Sequence, residues 1–393
     1  MNHPSTLAAV IAMLAAATTS ATPSFPAFDA RANAGEKLTV AFFGASLTYG
    51  ANASAPDKTS YRGQVADKLE AAYPKANFKF IDGAIGGTDS ALGVFRLKRD
   101  CLDYKPDLVF LVFSANDGIY GVQEKNKASY ESLVRRVITE GNCPVVIAIF
   151  PFKGDADPAS LPKMKGRAAH WEIAKAYGVP VGDVVARVQE LFTADNAVPG
   201  KLWPFDGAHP GDEGYAIFAD VVFAAFQDAV RGGVVEKAPE NMLHAGTYMT
   251  WSRNRLSQSA QPLPEGWRVE PVSRTSAWYD ALMSRWLDDV SVVRAGNPAP
   301  LKLRFKAEAV GLFGEETTRS GKIRVLLDGE EAATLDLDAT RFGGNRHFNA
   351  HLATGLDPEK EHALEIIPLF ESENAQEIRL ESVLLAGGEA RML

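Results

Sequence analysis

From Leu38 to Val230, short apolar runs alternate with segments of helical period. The runs Leu38–Phe43, Asn77–Ile81, Leu108–Phe113 and Val145–Phe150, with a weaker Val179–Val181, predict buried strands. Between them lie the helical segments Ser60–Tyr73, Ser90–Tyr104, Lys127–Glu140 and Pro162–Tyr177, and Pro210–Val230 closes the set. Pro74, Pro106, Pro144 and Pro180 fall where each helix must stop before the next strand. Such alternation leaves one economical solution. It is an α/β fold: a mostly parallel sheet, helices on both faces, joined by right-handed connections.

Near Arg231–Thr247 the pattern changes. Helical period nearly vanishes, leaving only Ala277–Leu287 as a short helix candidate. Strands of alternating character are expected at Val290–Val293, Leu301–Ala307, Lys322–Leu327, Ala332–Leu337, His347–Leu352, His362–Pro368 and Ile378–Leu385. Turn signals separate them, among them Asp328-Gly329 and Gly343-Gly344-Asn345. This spacing predicts an all-β sandwich or jelly roll. With 393 residues the chain accommodates both units, expected at 38–236 and 240–393. Trp251, Trp267, Trp278 and Trp286 are read as sandwich core rather than exposed sugar platforms.

At the start, Leu7–Ala17 is a short apolar run followed by the small residues Thr19-Ser20-Ala21. It reads as a signal peptide over 1–21, which makes the mature protein secreted or periplasmic. Pro23–Lys37 is then a poorly ordered leader, over 22–37. A net charge of −8, without any Lys/Arg run, argues against nucleic acid or an anionic membrane as partner. No other stretch is long and apolar enough to insert in a membrane. Cys101 and Cys143 sit in separate elements, in no CxxC pattern, and are expected as buried thiols rather than a disulfide or a metal site. No metal or cofactor is expected.

Four blocks fall at strand ends or a helix start: Gly44-Ala45-Ser46, Ala84-Ile85-Gly86-Gly87-Thr88, Ser114-Ala115-Asn116-Asp117 and Asp206-Gly207-Ala208-His209-Pro210. In a parallel sheet these positions share one rim. Together they hold the parts for acyl transfer. Ser46 needs a base, His209 can serve, and Asp206, three residues earlier, can fix its tautomer. The Ser46 and Gly87 N–H groups and the Asn116 amide supply three oxyanion donors. Rival motifs are missing: the sequence has no GxxxxGK[ST], no GxGxxG, no HExxH, and Thr48 replaces the second glycine of a GxSxG elbow.

In this order the blocks resemble the SGNH (GDSL-type) hydrolases, whose signature runs Ser, Gly, Asn, His with Asp three before His. The run 78–117, including Arg96 and Lys105-Pro106-Asp107, is similar throughout, and the likeness covers about Leu38 to Ala229. It implies a flavodoxin-like three-layer α/β/α hydrolase domain and serine-dependent ester hydrolysis, with Ser46, Asp206 and His209 catalytic and Ser46, Gly87 and Asn116 forming the oxyanion hole. Ala45 stands where the family usually has Asp, a position outside the chemistry, and Ser114 where it often has Gly. Gly311–Leu327 with Asp328-Gly329 resembles the sandwiches that accompany secreted SGNH carbohydrate esterases.

The expected substrate is therefore an acetylated glycan or another small ester. A lipase or thioesterase on longer acyl chains is one alternative, and a non-catalytic glycan-binding protein on a hydrolase scaffold is another. Trp203 is a candidate to line the acyl or sugar pocket. Arg62 and Arg96 are candidates for an acidic substrate group, each weighed against a packing or ion-pair role. His170, on a helix, is read as a surface or packing residue, and His244, His347, His351 and His362 lie outside the hydrolase domain.

Overall fold

The structure, a computed structural model, describes residues 23–273, 289–296, 298–371 and 376–393. Five parallel strands form the first sheet: β1 (Lys37–Gly44), β2 (Asn77–Ala84), β3 (Leu108–Val112), β4 (Val145–Ile149) and β5 (Val181–Asp183). Their order is β2-β1-β3-β4-β5, so the chain reverses direction across the sheet between β1 and β3, where open α/β sheets open a crevice. Gly44 pairs with Ala84 of β2 and with Val112 of β3. The carboxyl ends of these three strands are thus level.

Side chains along β1 split with period two, as pleating demands. Val40 and Phe42 enter one core, with Phe110, Tyr61 and Phe218. Ala41 and Phe43 enter the other, with Leu111, Leu133 and Ile173. Helices Tyr61–Ala72 and Asp212–Arg231 cover the first face, and Ser90–Asp100, Glu124–Thr139 and Lys165–Tyr177 cover the second. The three-layer α/β/α arrangement is the one expected.

Two departures occur here. The segment expected as a poorly ordered leader holds a helix, Phe25–Asn33. Ser24 caps it by accepting the Ala27 N–H, and Pro26 stands in its first turn. Phe25, Phe28 and Ala32 share its inner face and bury against the 212–231 helix, with Phe226 at 6.0 and 5.6 Å from the two rings. An amphipathic stripe of three residues was too short to stand out in a Pro/Ala-rich stretch. Helix Val184–Ala194 was also unforeseen. The signal-peptide segment lies outside the described residues, as does the Ala277–Leu287 helix candidate with Trp278 and Trp286.

The C-terminal unit has two antiparallel sheets. One contains β7 (Trp267–Pro271), β8 (Asp289–Arg294), β10 (Ala309–Glu316), β13 (Arg346–Ala353) and β15 (Glu377–Ala386), with β6 (Trp251–Arg255) also paired to β15. The other runs β12-β11-β14-β9-β16, from β9 (Leu301–Lys306), β11 (Lys322–Leu327), β12 (Glu330–Asp336), β14 (His362–Leu369) and β16 (Arg391–Met392). Leu312, Ile378 and Val383 of the first sheet meet Phe305, Ile323 and Ile366 of the second in one core. Strand β10, between β13 and β15, is missing from the sequence expectation because Gly311 and Gly314 interrupt its alternation. Both glycines face neighbouring backbone: a Cβ on Gly314 would lie 2.4 Å from the Arg379 carbonyl oxygen.

The outer face of the first of these sheets is not free. Phe313, Leu384 and Ala386 join the same apolar cluster as Phe95 and Leu133 of the helices covering the parallel sheet. Trp251 packs edge-on against Phe95 at 6.4 Å, beneath the Arg136 guanidinium at 5.0 Å. Trp267 is a buried core residue, its ring N–H donating to the Ala299 carbonyl. Cys101 and Cys143 are buried free thiols.

Candidate active site

One residue, Ala45, separates β1 from Ser46, which opens a single helical turn, Ser46–Tyr49. The turn is possible because residue 44 is glycine. A Cβ there would lie 2.2 Å from Thr48 Oγ1 and 2.6 Å from the Val112 carbonyl oxygen. Only 8% of Ser46 is exposed.

Asp206–His209 forms the facing loop, just before the 212–231 helix. Asp206 Oδ1 accepts the Ala208 and His209 backbone N–H groups at 2.7 Å each, which folds the loop back on itself. Asp206 Oδ2 lies 3.2 Å from His209 Nδ1, and His209 Nε2 lies 2.9 Å from Ser46 Oγ. With the ring proton on Nδ1, the Ser46 hydroxyl donates to Nε2. In this geometry an imidazole can take a hydroxyl proton while a carboxylate steadies the cation formed. Burial pushes the Asp206 pKa up. The hydrogen bonds from His209 N–H, Ala208 N–H, the His209 ring and Asn52 outweigh it and bring it down to about 2.

Asn52 is a member of the site that the sequence did not reveal. Its amide donates to Asp206 Oδ2 at 2.8 Å and to the His209 carbonyl at 3.2 Å. It follows Ser46 by six residues in a segment without a motif, and its partners lie more than 150 positions away. Its φ of 68° is one that Asn tolerates better than most residues.

Gly87 and Asn116 lie on the same rim, both exposed, after β2 and β3 respectively. Gly87 has φ 74°, which a side chain would oppose. Both line a cleft of about 550 Å³ whose opposite wall belongs to the C-terminal unit, through Asp336, Arg341, Arg346 and His351. No sequence signal paired these two walls.

The three candidate substrate-binding residues, Arg96, Arg62 and Trp203, are all buried. Arg96 is fully buried. Its guanidinium donates to the carbonyls of Gly83 at 2.5 Å and Gly44 at 2.6 Å, and to Thr88 Oγ1 at 3.2 Å. It ties the ends of β1 and β2 together below the site. Arg62, 8% exposed, donates to Asp57 at 3.0 Å and lies 3.6 Å from Asp82. Trp203, 1% exposed, packs edge-on against Phe218 in the core. Its neighbour Phe205 is the exposed ring of that loop.

Residues 42–217 match the GDSL-like lipase/acylhydrolase family. Over this span the chain is similar to members of that family. The GDSL-like domain and its C-terminal sheets also resemble, as one unit, the crystal structure of a two-domain esterase (CEX) active on acetylated mannans. The identity is 25%, the TM-score 0.74, and 93% of this chain covers 95% of that one. The same esterase co-crystallised with mannopentaose gives 24% identity and a TM-score of 0.75, over 92% of this chain and 94% of that one. No curated protein matches the chain. The protein is a carboxylic ester hydrolase in which a GDSL-like domain precedes an antiparallel β unit.

Proposed function

We propose that the protein is a serine esterase that removes O-acetyl groups from a polysaccharide or oligosaccharide. The observation that supports this most is the Ser46–His209–Asp206 chain, with 2.9 and 3.2 Å between successive partners. Ser46 Oγ attacks the ester carbonyl while its proton passes to His209 Nε2. Asp206 stabilises the imidazolium. The developing oxyanion is met by the Ser46 and Gly87 N–H groups and the Asn116 amide. His209 then protonates the departing sugar oxygen, which leaves as the free hydroxyl. A water molecule, deprotonated by the same ring, releases acetate and restores Ser46.

Three features favour a glycan. The cleft beside Gly87 and Asn116 is large and polar, with both acidic and basic side chains to bond sugar hydroxyls. The similar two-domain esterase acts on acetylated mannans. The apolar Leu7–Ala17 segment fits an exported enzyme, which meets polysaccharide outside the cell.

Acetate release is to be measured on a chromogenic acetate ester and on acetylated mannan and xylan, with Ser46→Ala as control. The expected result is release from at least one glycan and a loss of about 10⁴-fold or more in kcat for Ser46→Ala. Full activity in Ser46→Ala would overturn the mechanism. A preference for octanoate over acetate esters would move the substrate to longer acyl chains. Inactivity together with no labelling by a fluorophosphonate would leave a glycan-binding protein.

A further inference from the structure

We propose that His170 is a positioning residue for the oxyanion hole, acting through Asp117 on the loops that carry Asn116 and Gly87; this rests on the esterase reading above. His170 lies on helix Lys165–Tyr177 and has no exposed surface. Its ring lies flat on that of Tyr130, with centroids 3.7 Å apart and planes 6° from parallel. Its Nε2 stands 3.4 Å from Asp117 Oδ2. Among the described residues, neither ring nitrogen of His170 nor Asp117 Oδ2 has a hydrogen-bond partner at shorter range.

The other carboxylate oxygen of Asp117 is fully engaged. It accepts the Ser90 N–H at 2.8 Å and the Asn126 amide at 3.1 Å. Asn126 also donates to Asp89 at 3.2 Å, and Asp89 caps the following helix through the Leu92 N–H at 3.0 Å. Asp117 is the residue after Asn116, and Ser90 is three residues after Gly87. One buried carboxylate therefore joins the two loops that supply two of the three oxyanion donors. Burial pushes the Asp117 pKa up, and the imidazole and the Ser90 N–H act against that. A carboxylate so deeply placed needs a partner on each oxygen to keep one orientation. His170 is the group that faces the second one. The start of its helix braces the same loop, since the Gly166 N–H donates to the Ile119 carbonyl at 2.8 Å.

Oxyanion donors act only when preorganised, so slack in this link should appear in turnover rather than in ground-state binding. The test compares His170→Phe and His170→Gln with the parent on p-nitrophenyl acetate, alongside inhibition by phenylboronic acid, which forms a tetrahedral serine adduct. Phenylalanine keeps the stack on Tyr130 and removes the group facing Asp117. We expect a kcat about tenfold lower with KM within about twofold, and boronate binding weakened by a similar factor. Glutamine, whose amide N–H can reach the same oxygen, restores most of both.

Folded His170→Phe with kcat and boronate affinity within about twofold of the parent would overturn the inference. So would a loss confined to KM. If the Phe variant does not fold, His170→Gln and the shorter His170→Asn replace it. Impaired kcat in Asn alone supports the inference, and equal kcat in both overturns it. A parent that is inactive and unlabelled by fluorophosphonate defeats the esterase reading, and this inference with it. An active parent with unaffected variants defeats this inference alone.

Discussion

Asp206 keeps its charge against burial because four donors converge on it. Asn52 is the one among them that comes from the segment following Ser46. Removing it in Asn52→Ala should raise the Asp206 pKa from about 2 toward the ordinary carboxylate value. A folded pKa held below the unfolded one stabilises the protein above the ordinary carboxylate range and is lost as pH falls through the folded value. In Asn52→Ala the contribution is smaller and its loss is complete at a higher pH, while the unfolded pKa, where the loss begins, is unchanged. Since Asp206 is nearly half exposed, the stability effect is small. The clearer readouts are the carboxyl titration by NMR and kcat, which should fall about 3- to 10-fold. An unchanged titration would remove Asn52 from the site.

The helix Lys165–Tyr177 shows the same principle at the level of elements. It docks on the loop after Asn116 so closely that only glycine fits at 166. A Cβ there would lie 2.3 Å from the Gly118 carbonyl oxygen and 3.0 Å from Ile119 Cα. Both obstacles are backbone, so Gly166→Ala must move the helix or the loop. We expect a loss of about 1–3 kcal/mol in urea unfolding, with reduced kcat. Gly121→Ala, with nothing within 4 Å of the added atom, is the matched control.

Elements of this kind were largely readable in advance, because strands buried on both faces and helices ended by proline leave clear periodic marks. The candidate site residues Ser46, Gly87, Asn116, Asp206 and His209 stand out in the sequence for a related reason: each sits at a strand end or helix start, where sequence position and spatial position coincide. Asn52, the Asp117–His170 pair and the burial of Arg96 were not. Their roles depend on partners 52 to 154 positions away, or on which face of a helix turns inward. Strand β10 was hidden by glycines that serve neighbouring backbone rather than a turn.

Across the whole molecule, the two units share a core rather than merely touching. Phe313, Leu384 and Ala386 complete a cluster begun by the hydrolase helices. Unfolding should therefore be a single transition, even though the chain contains two architectures. Trp251→Ala removes the ring lodged between Phe95 and Arg136. It should lower that transition as a whole, by about 2 kcal/mol. Calorimetry that resolved two transitions, only one of them shifted, would contradict this.

The fully buried Glu131 accepts the N–H groups of Leu243 and His244 and the hydroxyl of Tyr177 at 2.7–2.8 Å. Arg135, one helical turn on, holds the Pro239 carbonyl. The strand-free stretch between the units is thereby bolted to the hydrolase helix along its length. For anyone exchanging the β unit for that of another esterase, the splice point follows from these bonds. A junction at residue 236 would strand a buried carboxylate. A junction after Met249 would carry the connecting segment across with the domain that anchors it.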